Sequence, residues 1–258
     1  MEIQFTKFQG TGNDFVMIDN RNGDYDSISE SIVQLLCNRK TGIGADGLIK
    51  INSKRGYDFE VDYFNADGSK SFCGNGARCS IAFANSIGVR GDKYNFWAID
   101  GEHDGFIEGE QIHLAMNPVN EIVTVEGGHF IDTGSPHFIR ERQTDDPDIV
   151  TYGRSVRYSE KYEKEGVNVN YLNRLSNNSI QVETYERGVE DETLSCGTGV
   201  TAVALLVMNN TPNLSQVHVE TKGGVLRVEA ERNGSGFDNI WLIGPAKKVF
   251  DGSVDVEL

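Results

Sequence analysis

No stretch of this chain is apolar for long enough to cross a membrane. The longest run, VTAVALLVM from Val200 to Met208, is about half of what a span needs. The opening residues MEIQFTKFQG lack a basic start, an apolar stretch and a small-residue cleavage site, so no secretory segment is read and a cytoplasmic protein is expected. Basic residues are few: 24 Lys and Arg stand against 39 Asp and Glu, for a net charge of −15. A polyanion of this kind repels phosphate backbones, which argues against nucleic acid as a partner. It also means that an anionic substrate group has to be held by local donors. Cysteines are few as well, and none of the four forms a C-x-x-C pair. The five residues between Cys73 and Cys79 are not a zinc-ligand spacing, and a reducing compartment disfavours a disulfide framework. Neither G-x-G-x-x-G nor G-x-x-x-x-G-K-[ST] occurs at the cysteines, so the common phosphate loops are excluded there. Proline is scarce at 5 residues and glycine abundant at 29, which suits a turn-rich β-containing fold better than a helical bundle.

What is present is a duplication. FEVDYFNADGSKSFCGNGARCSIAFA (Phe59 to Ala84) and IQVETYERGVEDETLSCGTGVTAVALL (Ile180 to Leu206) share one plan. Each has an alternating strand pattern, a polar loop, and C-G-x-G opening an apolar helical stretch. Gly101 and Gly224 each lie 28 residues after their cysteine, between β-like runs. Asn13 in GTGNDFV precedes Cys73 by 60 residues, and Ser135 in DTGSPHFI precedes Cys196 by 61. Each copy reads as strands, a helix, a central strand, the cysteine loop, a core helix and a meander. The core helices are expected over Gly76 to Ile87 and Gly199 to Met208, apolar on most faces and therefore wrapped by strands. The expected class is α+β, with two pseudo-symmetric lobes, each a strand-wrapped central helix. The lobes are read as 1–117 and 118–248, with 249–258 a candidate to return to the first.

In both loops the cysteine immediately precedes a helix. The glycines leave backbone amides uncovered, and these amides, together with the positive end of the helix dipole, make an anion site. A thiol held there is more readily a thiolate. Each loop thus offers a base and a carboxylate cradle. Two such loops, facing across the lobe interface, would let one thiolate remove an α-proton from one face while the opposite thiol protonates the other. The expected chemistry is stereoinversion by Cys73 and Cys196, without cofactor or metal. One C-G-x-G before a helix is more often a plain cap with a buried cysteine, but two matched copies reverse those odds. A cysteine nucleophile with His137 as its base is a further option, which leaves the second loop unexplained. Cys37 and Cys79 read as small buried hydrophobes.

The motifs GTGNDFV (Gly10 to Val16), GIGADG (Gly42 to Gly47), FNADGS (Phe64 to Ser69), CGNGARC (Cys73 to Cys79), GSPH (Gly134 to His137) and ERG…ETLSCGTG (Glu186 to Gly199) resemble the diaminopimelate epimerase family. They recur in that family's order over most of the chain. The wider superfamily of proline racemases and hydroxyproline epimerases shares the two-cysteine plan, but CGNGARC and FNADGS look like the diaminopimelate branch. The resemblance implies two lobes of one fold with the site in the cleft between them. It implies conversion of LL-diaminopimelate to the meso isomer on the route to lysine and peptidoglycan, with no cofactor and no metal, in a homodimer. It assigns the catalytic pair to Cys73 and Cys196, and the cradle for the reacting carboxylate to Gly74, Asn75, Gly197 and Thr198. Asn13, Asn65, Asn168, Glu186 and Arg187 are implied as substrate-binding, chiefly at the distal zwitterion, with Asn170 competing for the place of Asn168. His137 and Glu186 are implied to assist the cysteines electrostatically. Ser135 stands where the family often has Asn, Gly47 where some members carry a side chain, and the loop from Arg187 to Cys196 reads one residue longer than the commonest form. The rival readings are a proline-type racemase, which has no distal zwitterion for Arg187 to meet, a binding module of the same fold, and a thiol–disulfide redox protein.

Overall fold

The computed structural model describes residues 1–256. In chain order the elements are β1 (Glu2–Gly10), β2 (Asn13–Asp19), α1 (Glu30–Cys37), β3 (Gly47–Asn52), β4 (Phe59–Asn65), α2 (Gly74–Ser86), β5 (Tyr94–Ala98), β6 (Gly101–Glu108) and β7 (Gln111–Met116). There follow β8 (Val123–Val125), β9 (Gly128–Asp132), β10 (Pro136–Glu141), α3 (Ile149–Arg157), β11 (Asn168–Arg174), β12 (Ser179–Glu186), β13 (Asp191–Thr193), α4 (Gly197–Asn209), β14 (Gln216–Thr221), β15 (Gly224–Asn233), β16 (Gly236–Pro245) and β17 (Lys247–Asp255). The chain forms two compact units. One holds Met1–Leu114 and the C-terminal stretch from Gly244, the other Ala115–Ile243. β17 belongs to the first unit because it pairs antiparallel along β1, from Glu2 with Asp255 to Gln9 with Lys247. Residues 257 and 258, part of the strand expected to return, lie outside the described residues.

In the first unit the pairing runs β17, β1, β2, β3, β4, β5, β6, β7. The β2–β3 and β4–β5 pairs are parallel and the others antiparallel. In the second it runs β8, β9, β10, β11, β12, β14, β15, β16. There β10–β11 and β12–β14 are parallel and the others antiparallel. The two sequences of orientation coincide strand by strand. Helices α1 and α3 occupy the same parallel crossover in each unit, as do α2 and α4. The fold is therefore α+β and duplicated, and the register supplies equivalences between the units. Phe15 pairs with Gly47 and Gly47 with Asn65, while His137 pairs with Asn168 and Val169 with Tyr185. Thus Phe15 matches His137, Gly47 matches Asn168, Ile49 matches Asn170, Tyr63 matches Thr184 and Asn65 matches Glu186.

The central helices are enclosed. α2 packs against β1, β2, β3, β4 and β6, and α4 against β10, β11, β12, β14 and β15. In α4 every residue from Val200 to Met208 is buried, within a core cluster that includes Ile131, Ile139, Val182, Val219 and Leu226. Burying each such aliphatic side chain contributes about 1.5–3 kcal/mol. That explains how a helix without a polar face is held, even though propensity alone stabilises a helix of this length little. Both central helices start two residues earlier than the apolar pattern predicts, at Gly74 and Gly197. The glycines and polar residues of the first turn lower the apolar signal there, yet their backbone is already helical. In the first unit the shorter helix α1 buries Ile32, Val33, Leu36 and Cys37 against β1 to β3.

Gly101 and Gly224 close equivalent two-residue hairpins, pairing with Ala98 and Thr221. Their φ angles are +129° and +144°, a region that a Cβ disfavours. Gly101→Ala and Gly224→Ala should each cost about 1 kcal/mol or more, read as a lower urea midpoint with an unchanged slope. An unchanged midpoint in both variants would show that the turns relax freely.

Candidate active site

Cys73 and Cys196 occupy the N-cap positions of α2 and α4. Both are extended, at φ −136°, ψ 117° and φ −114°, ψ 112°, and neither side chain makes a capping hydrogen bond. Serine or aspartate is the usual choice at such a position because its oxygen satisfies a first-turn amide. A thiol in its place leaves the first-turn amides at Gly74–Asn75 and Gly197–Thr198 uncapped by the N-cap side chain, at the positive end of a helix. Cys73 is half-buried and Cys196 is 8% exposed.

In the first unit, β2 delivers Asn13 and β4 delivers Asn65 toward the Cys73 loop. A fully buried guanidinium sets the orientation of the amides. Arg78 Nη2 donates to Asn75 Oδ1 and to Thr11 Oγ1, each at 2.9 Å. Asn75 Nδ2 therefore faces Asn13 Oδ1, at 2.7 Å, and Asn13 Nδ2 donates to Asp46 Oδ2 at 2.9 Å. Asp46 and Asp14 are both clamped by Arg39, and Asp14 also pairs with Lys7 at 2.8 Å. Burial pulls Asp14 upward, but its bonds to Arg39 and Lys7 outweigh this and hold it below the usual carboxylate range. Asn65 Oδ1 accepts from the Tyr63 hydroxyl at 2.9 Å, and its Nδ2 donates to the Ser69 hydroxyl at 3.0 Å, which fixes its turn. Sequence reasoning missed Arg78. Burial lowers it only to about 10, so it stays a cation, and its Nε and Nη1 have no hydrogen-bond partner among the described residues. The available signal was a charge five residues past the cysteine inside an otherwise apolar helix. Cys37 and Cys79 are buried, with burial pushing their thiols up to about 11 and about 12, so neither is a base at neutral pH.

In the second unit a polar chain lies beneath the Cys196 loop. Cys196 Sγ is 3.4 Å from Thr198 Oγ1, which is 3.0 Å from His137 Nε2. His137 Nδ1 lies 3.0 Å from Asn170 Nδ2, and Asn170 Oδ1 accepts from the Thr184 hydroxyl at 2.9 Å. Of the residues expected at the site, His137 and Thr198 lie beside Cys196 within this unit. Asn168 is 3% exposed, and its amide is engaged: Nδ2 donates to Ser135 Oγ at 2.7 Å and to the Pro136 carbonyl, and Oδ1 accepts from the Arg187 amide at 2.8 Å. Arg187 is exposed and its guanidinium donates to the Glu165 carbonyl at 2.9 Å. Glu186 ends β12 half-buried, its carbonyl accepting from the Glu190 amide. The loop before Cys196 contains a hairpin: β13 folds back on β12, Glu186 opposite Asp191. Gly47 has no room for a side chain here, since a Cβ would sit 2.4 Å from the Tyr63 ring and 2.5 Å from the Phe64 carbonyl oxygen. Among the described residues no group of three or more His, Cys, Asp or Glu is placed to hold a metal ion.

Burial, reinforced by the nearby Arg187 charge, pushes His137 down to about 3. An unfolded histidine takes up its proton near pH 6.5. Between pH 6.5 and 3 the unfolded state therefore holds the extra proton, and stability falls as pH falls, by up to about 1.4 kcal/mol per pH unit. Above pH 6.5 this contribution is fully present. Urea unfolding of the wild type and of His137→Gln at pH 7.5 and pH 5.0 reads the effect. The variant should lose less stability on acidification, and equal losses in the two proteins would contradict a neutral buried imidazole.

The family model for Diaminopimelate epimerase matches residues 5–118 and 129–249. The chain is 42% identical over 256 residues to the diaminopimelate epimerase of Flavobacterium psychrophilum, spanning 98% of this chain and 100% of that protein. It is 40% identical over 260 residues to the diaminopimelate epimerase of Chlorobaculum tepidum, spanning 95% and 98%. Among solved structures, a phenazine biosynthesis protein of the PhzF family from Bacillus anthracis superposes with a TM-score of 0.75 at 12% identity, covering 99% of this chain and 100% of that one. A hydroxyproline epimerase from Agrobacterium vitis, with bound trans-4-hydroxy-L-proline, superposes at 0.64 and 13% identity, covering 98% and 92%. At these identities the superpositions establish the fold.

Proposed function

The chain belongs to the diaminopimelate epimerase family, and on that premise we propose that it inverts one α-carbon of LL-diaminopimelate to give the meso isomer, with Cys73 and Cys196 as the two acid–base groups. The observation that carries this reading is the matched placement of two cysteines. Each is the extended N-cap of a buried central helix at the equivalent point of a duplicated unit. The substrate α-carboxylate takes the first-turn amides at Gly74–Asn75 and Gly197–Thr198. One thiolate takes the α-proton, and the other thiol gives its proton to the opposite face of the same carbon. The charge that develops on the carboxylate is met by helix ends that need no reorganisation. Since the donor and acceptor exchange roles, the reverse reaction uses the same pair in the other order.

The distal zwitterion is assigned to Arg187, Glu186, Asn13 and Asn65, with an arginine for the carboxylate and acceptors for the ammonium. Asn168 contributes through the Arg187 backbone that it holds. His137 acts as a neutral group at its depressed pKa, so its assistance to Cys196 is a hydrogen bond and not a positive charge. With the rest of the family, the protein is proposed to work in the cytoplasm, as a homodimer, in the synthesis of lysine and of peptidoglycan precursors.

The test is turnover of LL-diaminopimelate, L-proline and trans-4-hydroxy-L-proline, resolved by chiral chromatography. Meso-diaminopimelate is the expected product, with no inversion of the cyclic substrates. Inversion of proline or hydroxyproline, without action on diaminopimelate, would move the protein to the proline-type reading.

A further inference from the structure

The duplication makes each unit a control for the other. Under α2, an ideal Cβ on Gly76 would meet Ile49 Cδ1 at 3.1 Å and Phe15 Cζ at 3.5 Å. At the equivalent point under α4, a Cβ on Gly199 would meet Asn170 Oδ1 at 2.6 Å, His137 Cε1 at 3.2 Å and Thr184 Oγ1 at 3.3 Å. The fold accepts Phe15, Ile49 and Tyr63 beneath one helix, so it does not require His137, Asn170 and Thr184 beneath the other. These three are 0%, 0% and 3% exposed. Burying polar groups costs free energy unless each is hydrogen-bonded, and here each is. A fully paired polar cluster in one unit, where its duplicate is built around an aliphatic and two rings, calls for a reason outside folding.

The directions of the bonds supply the reason. Asn170 Nδ2 lies 3.3 Å from the Phe138 carbonyl oxygen, which can only accept. Turning the amide over would set two oxygens against each other, and would also take the acceptor away from the Thr184 hydroxyl at 2.9 Å. Nδ2 is therefore the group that faces His137, and it donates to Nδ1 at 3.0 Å. A neutral imidazole whose Nδ1 accepts must carry its proton on Nε2. Nε2–H then donates to Thr198 Oγ1 at 3.0 Å, which leaves the hydroxyl hydrogen of Thr198 for Cys196 Sγ at 3.4 Å. With the other tautomer, Nε2 would accept from Thr198, and the hydroxyl could offer sulfur only a lone pair.

We propose that Asn170, backed by Thr184, is a positioning residue for Cys196: it fixes the tautomer of His137 so that the hydrogen bonds between them run toward the sulfur and favour its thiolate. This rests on the reading of Cys196 as an acid–base group and identifies the residue that sets its resting state. The equivalent positions of the first unit hold Phe15, Ile49 and Tyr63, so this chain of side chains has no duplicate there, and its effect is expected at Cys196.

The experiment needs no substrate, which separates it from the question of which amino acid is epimerised. Protein labelled with 15N-histidine is examined by NMR at pH 7.5, with His137 assigned by its loss in His137→Gln. The expected wild-type signature is an unprotonated Nδ1 and a protonated Nε2; the opposite tautomer would overturn the proposal without any variant. Asn170→Ile with Thr184→Val then removes the donor and its support together, in the manner of the apolar duplicate, and Asn170→Ser serves as a smaller change. In the folded variants the Nε2–H signature should be lost, and alkylation of Cys196 by iodoacetamide at pH 7.5, followed by peptide mass spectrometry, should slow by about tenfold, as befits one hydrogen bond to an anion. Alkylation of Cys73 should stay within twofold, roughly the scatter of such coupled effects. Retention of the Nε2–H tautomer, or slowing at both cysteines alike, would sink the assignment.

Discussion

Cys73→Ala and Cys196→Ala will each lower conversion of LL-diaminopimelate by at least about 10³-fold, while leaving the protein folded. A single positioned acid or base contributes about 10²–10⁴-fold. Inversion needs a proton removed on one face and supplied on the other, so neither cysteine can stand in for its partner. The folded state should tolerate the change, because neither thiol caps its helix. Alanine therefore removes no capping hydrogen bond to a first-turn amide, unlike the loss of a serine or aspartate cap. Formation of the meso isomer gives the rate, and far-ultraviolet circular dichroism with a thermal scan gives the fold. Activity within tenfold of wild type in either variant would contradict the two-base reading.

Gly199→Ala should cost about 1–3 kcal/mol of stability and about 10²-fold in turnover. Its twin Gly76→Ala should do far less. The new methyl at 199 would arrive 2.6 Å from Asn170 Oδ1. That amide is tied to His137, the Phe138 carbonyl and Thr184, so it cannot move alone. Any shift passes through the imidazole and Thr198 to Cys196. At 76 the closest atom is the end of a flexible isoleucine at 3.1 Å, and the gain in helix propensity on leaving glycine offsets part of the crowding, about 0.5–1 kcal/mol. Urea unfolding and steady-state kinetics on both variants decide the matter. Equal losses at the two sites would mean that the polar cluster under α4 has no special bearing on the chemistry.

The duplication was legible because it is written in spacing. The matched C-G-x-G loops and the paired glycines 28 residues on, at Gly101 and Gly224, survive divergence because a tight turn at positive φ restricts the residue type. The class and the buried central helices followed from apolar patterning. Their first turns did not, since Gly74-Asn75 and Gly197-Thr198 carry little hydrophobic signal, although they are helical. Side-chain wiring was the least readable level. Nothing local distinguishes Asn168, engaged with Ser135 and Arg187, from Asn170, two residues on, which faces His137. Strand alternation puts both on one face, and only the register with β10 and β12 separates their partners. Arg78 escaped notice because an arginine inside an apolar helical pattern ordinarily reads as a snorkelling surface residue, whereas here it is 0% exposed and orients Asn75 and Asn13. The pairing of a charged device under one cysteine with a neutral relay under the other is a difference that sequence symmetry hides.

The central claim is that one carbon is deprotonated by one cysteine and reprotonated by the other from the opposite face. Turnover of LL-diaminopimelate in D₂O, with stereoisomers separated and α-deuterium located by mass spectrometry or NMR, tests it most directly. The two-base account predicts that meso product carries one solvent deuterium at the inverted carbon from the first turnovers, while unreacted LL substrate stays largely unlabelled. Early label in recovered LL substrate, at a rate equal to its appearance in meso product, would indicate a single base working on both faces and would contradict the account.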